Sequence, residues 1–92
     1  MPTSSENLPL GNSVPDETIV RTAADIGALA RDWRKQQGMK QADVAGVSGS
    51  GNRFIVDLES GKPTLQLQKT LDVLQLLGLE VVVRPKTDRG VW

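Results

Sequence analysis

The sequence predicts a small, mainly helical single domain that closes on one short strand. Three observations carry this prediction. Apolar residues recur at helical spacing in four successive stretches between Thr22 and Leu77, and glycines punctuate those stretches. The helical period then gives way to three consecutive valines, Val81 to Val83, before Pro85. Ninety-two residues leave room for one domain.

Residues 1–18 hold three of the five prolines and the acids Glu6, Asp16 and Glu17, with no Lys or Arg. That composition buries too little to fold alone and predicts a disordered arm. The domain proper is expected over 19–78. A first helix is predicted for Ala23–Gln37: Thr22 and Asp25 make a short-acid capping box, and Ile26, Leu29, Ala30 and Trp33 share one face. Gly38 stops it. A second helix is expected at Gln41–Val47, with Val44 and Ala45 inward and Ala42 in support. Ser48-Gly49-Ser50-Gly51 reads as a turn. A third helix follows from Asn52 to Ser60, burying Phe54, Ile55 and Leu58 and ending before Gly61. After Pro63, Thr64 is the expected N-cap of a fourth helix, with Leu67, Leu71 and Leu74 as its inward stripe and Gly78 as its end. Leu65, Val73, Leu76 and Leu77 fall partly off that stripe, so this helix is apolar over more than one face. Residues 79–84 are the expected strand and 85–92 a flexible tail. A single strand cannot satisfy its own backbone, so it needs a partner. The candidates are Thr18–Arg21 or the same strand of a second copy.

The composition excludes more than it assigns. Eleven basic and eleven acidic residues give a formal net charge of zero, yet 19–62 carries seven basic groups against five acids. A basic middle is hidden behind an acidic arm. Cys and His are both absent, which removes disulfides, thiol nucleophiles, imidazole bases and the usual zinc ligands. No catalytic residue, metal or cofactor is therefore expected, and an enzyme is disfavoured. The start of the chain lacks the basic and apolar regions of a secretory signal, and the apolar run from Leu76 to Val83 is too short to span a bilayer. A soluble, cytoplasmic chain without a membrane partner is expected.

Gly38-Met39-Lys40-Gln41-Ala42-Asp43-Val44-Ala45 and Arg53-Phe54-Ile55-Val56-Asp57-Leu58-Glu59-Ser60-Gly61-Lys62 resemble the helix-turn-helix of the phage-repressor (Xre) type. The eighteen-residue spacing from Gln41 to Glu59 also matches, without insertion. Thr22 to Arg34, Lys62-Pro63-Thr64, the leucine-rich helix, Gly78-Leu79-Glu80 and the valine strand are similar to the HipB group of antitoxins, which partner HipA-type Ser/Thr kinases. The resemblance covers roughly 19–84. It implies a four- to five-helix phage-repressor-like domain whose C-terminal strand forms an intermolecular sheet in a homodimer. One departure stands out: the family places an aliphatic residue and then Ser or Thr before its recognition helix, where this chain has Ser50 and Gly51.

The residue chemistry supports a DNA-reading role independently. A helix lying in the major groove needs short or bidentate polar groups in its first turn. Asn52 and Arg53 occupy that turn; Asn suits adenine N6 and N7, and Arg suits guanine O6 and N7. Val56 can touch a thymine methyl. Asp57 can accept from cytosine N4, although a solvated carboxylate is the better reading. The blander alternatives are a surface charge for Arg53 and a helix-start residue for Asn52. The resemblance implies base contacts at Gly51, Asn52, Arg53, Val56 and Asp57 and a phosphate contact near Gln41, and Lys62 suits a second phosphate. It further implies an internal ion pair between Arg34 and Glu59, with a phosphate contact by Arg34 as the alternative.

Trp33 reads as core, and the surplus leucines of the fourth helix point to a subunit contact. Two copies on a two-fold axis would read half-sites of a palindromic operator, with Leu79, Val81, Val82 and Val83 at the dimer seam. The resemblance implies an antitoxin that represses its own operon and restrains a HipA-like kinase toxin. Trp92 is a candidate anchor for a partner's pocket, or an incidental chain end. A stand-alone regulator, and a protein–protein adaptor that has lost DNA binding, are the alternative functions.

Overall fold

The structure, a computed structural model, describes residues 17–86; most of the expected N-terminal arm and the candidate anchor Trp92 lie outside the described residues. Four helices follow one another: α1 (Ala23–Gln36), α2 (Gln41–Ser48), α3 (Asn52–Ser60) and α4 (Leu67–Leu76). Ala30, Val44, Ala45, Ile55, Leu58, Val73, Leu74 and Leu77 form one buried cluster drawn from every helix and the end of α4. Trp33, Phe54 and Leu65 pack against it.

α1 begins on a reciprocal cap. The Asp25 N–H donates to Thr22 Oγ1 at 3.1 Å, while Asp25 Oδ2 accepts from the N–H groups of Arg21 and Thr22 at 2.9 and 3.1 Å. Those donors, the Arg21 N–H foremost, hold the Asp25 carboxyl below the usual carboxylate range. α1 then crosses α3 at unusually short range. A Cβ at Gly27 would collide with the Leu58 carbonyl oxygen and lie 3.1 Å from that of Glu59. Gly61, at φ +86°, closes α3 against the Ala24 backbone, 2.9 Å from where its own Cβ would stand. Two glycines thus let α1 lie directly on the C-terminal turn of α3.

α4 differs from its prediction in start and facing. Thr64 does not cap it; the flanking residue is Gln66, at ψ 122°, with no side-chain cap. Leu65 packs on the core and holds the chain out of helix until 67. The buried face is Thr70, Val73 and Leu74, continued by Leu77, whereas Leu67 is 70% exposed and Leu71 only half-buried. Thr70 can occupy an apolar face because its hydroxyl donates to the Gln66 carbonyl at 3.0 Å. Ala42 is likewise exposed rather than inward.

The valine segment forms no strand with the described residues. Among the described residues no ladder is present, and 79–86 runs without regular secondary structure. The intrachain candidate, 18–21, is not paired with it by any backbone hydrogen bond among the described residues. The two ends meet in an exposed ion pair, Arg84 Nη1 to Glu17 Oε1 at 3.4 Å. Ile19, Val81, Val82 and Val83 are left open to solvent. Among the described residues no helix is long and apolar enough to cross a membrane.

Candidate nucleic-acid interface

α2 and α3 pack on each other across the three-residue connection Gly49-Ser50-Gly51. The connection is held by its serines. Ser48 and Ser50 hydroxyls lie 2.9 Å apart, the Ser50 N–H donates to Ser48 Oγ at 3.2 Å, and the Gly49 N–H donates to the Ala45 carbonyl. Gly51 flanks α3 at φ +86°, ψ 146°, a conformation that is essentially restricted to glycine. A Ser or Thr there would bring a capping oxygen together with a strained backbone. The departure at position 51 is thus matched to the turn that this chain makes.

α3 divides cleanly. Ile55 and Leu58 are buried, and Phe54 is half-buried against the core. Gly51, Asn52 and Arg53 are exposed at its first turn, with the Arg53 side chain 84% open. Val56 is half-buried. Asp57 is not freely solvated: its side chain is 17% exposed, with Oδ1 3.3 Å from Arg53 Nε and Oδ2 3.6 Å from Lys62 Nζ.

Behind this surface sits a buried ionic knot. Arg34 Nε and Nη2 donate to the two carboxylate oxygens of Glu59 at 2.6 and 2.9 Å, and Nη1 donates to the Met39 carbonyl at 2.7 Å. Arg34 is 7% exposed, and the hydrogen bond to Glu59 holds its guanidinium more firmly protonated than usual. The alternative placing Arg34 on a phosphate does not fit this burial. Gln41 joins the knot, its Nε2 donating to Glu59 Oε1 at 3.1 Å. The side-chain amide expected to meet a phosphate is therefore already engaged. The second N–H of the Gln41 amide and the first N–H groups of α2, which precede those bonded to the Lys40 carbonyl, are further donors at that corner.

The structure brings Arg53, Asp57 and Lys62 together on α3 and the turn that follows it, leaves Asn52 exposed at the start of α3, and joins Arg34, Gln41 and Glu59 at its C-terminal end. Leu79 packs on the core at the other end of the chain. One cation went unread in the sequence. Lys69, on α4, places Nζ 5.6 Å from the centre of the Phe54 ring and so adds a positive charge beside α3. Nothing local to Lys69 signals it, because the contact spans two helices. Among the described residues no group of carboxylates is arranged to hold a metal ion.

Two helices joined by a short glycine-containing turn, the second with an apolar rear and a polar, cationic first turn, define a helix-turn-helix module. No family model matches the chain. It is 53% identical over 70 residues to an uncharacterized HTH-type transcriptional regulator, y4mF, of Sinorhizobium fredii, a span covering 76% of this chain and 92% of that protein. The chain belongs to the family of helix-turn-helix transcriptional regulators.

Proposed function

We propose that the chain is a dimeric, sequence-specific DNA-binding repressor with α3 as its reading helix. The observation that carries this reading is the division of α3 between a buried rear and an exposed first turn of Gly51, Asn52 and Arg53. Arg53 pairs with a guanine, Asn52 with an adenine, and the Gly51 backbone allows close approach. Val56 lies against a thymine methyl. Lys62 and the N-terminal corner of α2 at Gln41 take phosphates, which fix register without reading sequence. Two such heads on a two-fold axis, joined by pairing of Leu79 and Val81–Val83 with a second copy, meet half-sites about 34–36 Å apart on a palindromic operator.

Arg53→Ala is expected to weaken binding to duplex selected from a random pool by about 1–3 kcal/mol, with a much smaller loss on unselected DNA. Affinity of both should fall with added salt as phosphate counterions are displaced. Equal losses on selected and unselected DNA would reduce Arg53 to a phosphate contact.

The same reading extends to an antitoxin that represses its own operon and restrains a HipA-like Ser/Thr kinase. It is supported by the similarity of residues 19–84 to that group, with Trp92 as the proposed anchor on the kinase. A stand-alone regulator is the second reading, in keeping with the name of the Sinorhizobium relative, a transcriptional regulator. Co-expression with a kinase-like neighbouring gene separates the two. The antitoxin reading expects the kinase to co-purify with the full chain and to be lost, or held more weakly, on deletion of residues 90–92. No complex with the full chain leaves the stand-alone regulator.

A further inference from the structure

We infer that Asp57 is a positioning residue for Arg53, holding the guanidinium so that its two terminal nitrogens face the DNA and select guanine. This rests on the reading of α3 as the DNA-reading helix and specifies how that helix discriminates. The two side chains differ sharply in exposure. The Asp57 side chain is 17% exposed and that of Arg53 84%, so the carboxylate is a mount fixed by the fold and the guanidinium is the part that projects. Asp57 lies between two cations, Arg53 on Oδ1 and Lys62 on Oδ2, which leaves its carboxylate little freedom to turn away.

The contact with Arg53 is made at Nε, at 3.3 Å. A guanidinium presents five N–H donors in a planar fork. With Nε facing Asp57, the terminal Nη1 and Nη2 remain for a ligand. Two parallel donors are what guanine O6 and N7 accept in the major groove. An unsupported arginine on an exposed first turn would have to lose its rotamer freedom on binding; one already braced by a carboxylate loses less. As a surface pair this bridge adds little to folding stability, so its consequence lies in orientation.

A second effect is electrostatic and independent of sequence. On a random sequence no guanine rewards the oriented fork, while the Asp57 charge still faces a field of phosphates. Asp57 therefore favours the chosen sequence through Arg53 while weakening the sequence-independent attraction to every duplex alike.

The test is selection from a random duplex pool with the full-length protein, followed by titration of the selected palindrome and of random duplex. Wild type, Asp57→Asn, Asp57→Ala, Asp57→Glu and Arg53→Ala are compared, with helicity and melting temperature checked for each. A bidentate Arg–guanine pair discriminates by about 5- to 150-fold, and Asp57→Asn, which removes an exposed brace, should remove about two- to fivefold of the ratio between selected and random DNA. Enrichment of guanine at the half-site position should fall with it. Asp57→Glu should restore most of the ratio, and in the Arg53→Ala background Asp57→Asn should leave the ratio unchanged while strengthening binding to selected and random duplex alike. Asp57→Ala repeats the measurement with a better helix former, in case the amide perturbs the fold. An unchanged ratio in both Asp57→Asn and Asp57→Ala, with Arg53→Ala lowering it, overturns the positioning role alone. No effect of Arg53→Ala on guanine enrichment overturns the reading of α3 and the role of Asp57 together.

Discussion

Glu59→Ala is expected to cost about 3–5 kcal/mol of folding stability, because it leaves one member of a buried ion pair without its counter-charge. The side chains of Arg34 and Glu59 are 9% and 6% exposed, and the carboxylate accepts from Arg34 Nε, Arg34 Nη2 and Gln41 Nε2. Removing it would leave the Arg34 guanidinium with the Met39 carbonyl, an acceptor that carries no full charge. A core of this size contributes only about 3–5 kcal/mol in total, so the variant should be largely unfolded near room temperature. Urea titration followed by helical circular dichroism measures this directly. The double replacement Arg34→Met with Glu59→Leu should recover much of the loss, since an apolar pair of similar volume avoids the desolvation of both charges. A loss below about 1 kcal/mol for Glu59→Ala would mean that the pair behaves like an exposed one. The knot also joins three parts of the reading module, tying the end of α1 and the start of α2 to the end of α3. Its loss should therefore abolish DNA binding even in the fraction that stays compact.

The elements best read from sequence are those whose signals are local. α3 runs from Asn52 to Ser60, the limits expected from glycines at both ends, and its buried Ile55 and Leu58 follow from simple periodicity. The Thr22–Asp25 cap is a contact within one turn and is equally plain. The approach of α1 to α3 at Gly27 is not local. A glycine inside a helix reads as a weakness until the Leu58 carbonyl is seen lying against it.

α4 shows where periodicity fails. Leu67, Leu71 and Leu74 satisfy the helical period, but so do Thr70, Val73, Leu74 and Leu77. Local pattern cannot choose between two overlapping faces when one includes a threonine whose hydroxyl is satisfied within its own helix. At the candidate site, the exposed Asn52 and Arg53 were accessible from their place in the first turn. The engagement of Asp57 by both Arg53 and Lys62 was not, although Arg53 and Asp57 stand four residues apart on one helix face. Arg preceding Asp at that spacing is the weaker orientation, and only the position of Lys62 after the Gly61 bend completes the bridge. The valine segment is a different case. Its pattern demands a pairing partner, and the described residues of one chain do not provide it.

Val82→Asp is expected to convert the protein to a folded monomer and to lower operator affinity by about 10²- to 10⁴-fold, the scale on which a second linked contact raises binding. Val82 is 68% exposed in the single chain, as are Val81 at 57% and Val83 at 92%, so a charge there removes nothing from the core. Three adjacent exposed valines are unfavourable to leave in water, and their backbone groups, unpaired among the described residues, suit a ladder with a second copy. An aspartate at the centre of that ladder would face its own symmetry mate or a close neighbour, and like charges opposed across strands are destabilising. Helicity and melting at low concentration should match wild type, whereas sedimentation at micromolar concentration should show half the mass. Each monomer retains Asn52 and Arg53, so weak binding to an isolated half-site should survive while preference for the palindrome is lost. A monomer that binds the palindrome with wild-type affinity would separate DNA reading from dimerisation, and a variant that still sediments as a dimer would remove the valine segment from the assembly. It would also leave the exposed apolar surface of α4, with Leu67 and Leu76 open to solvent, as the surface to test next.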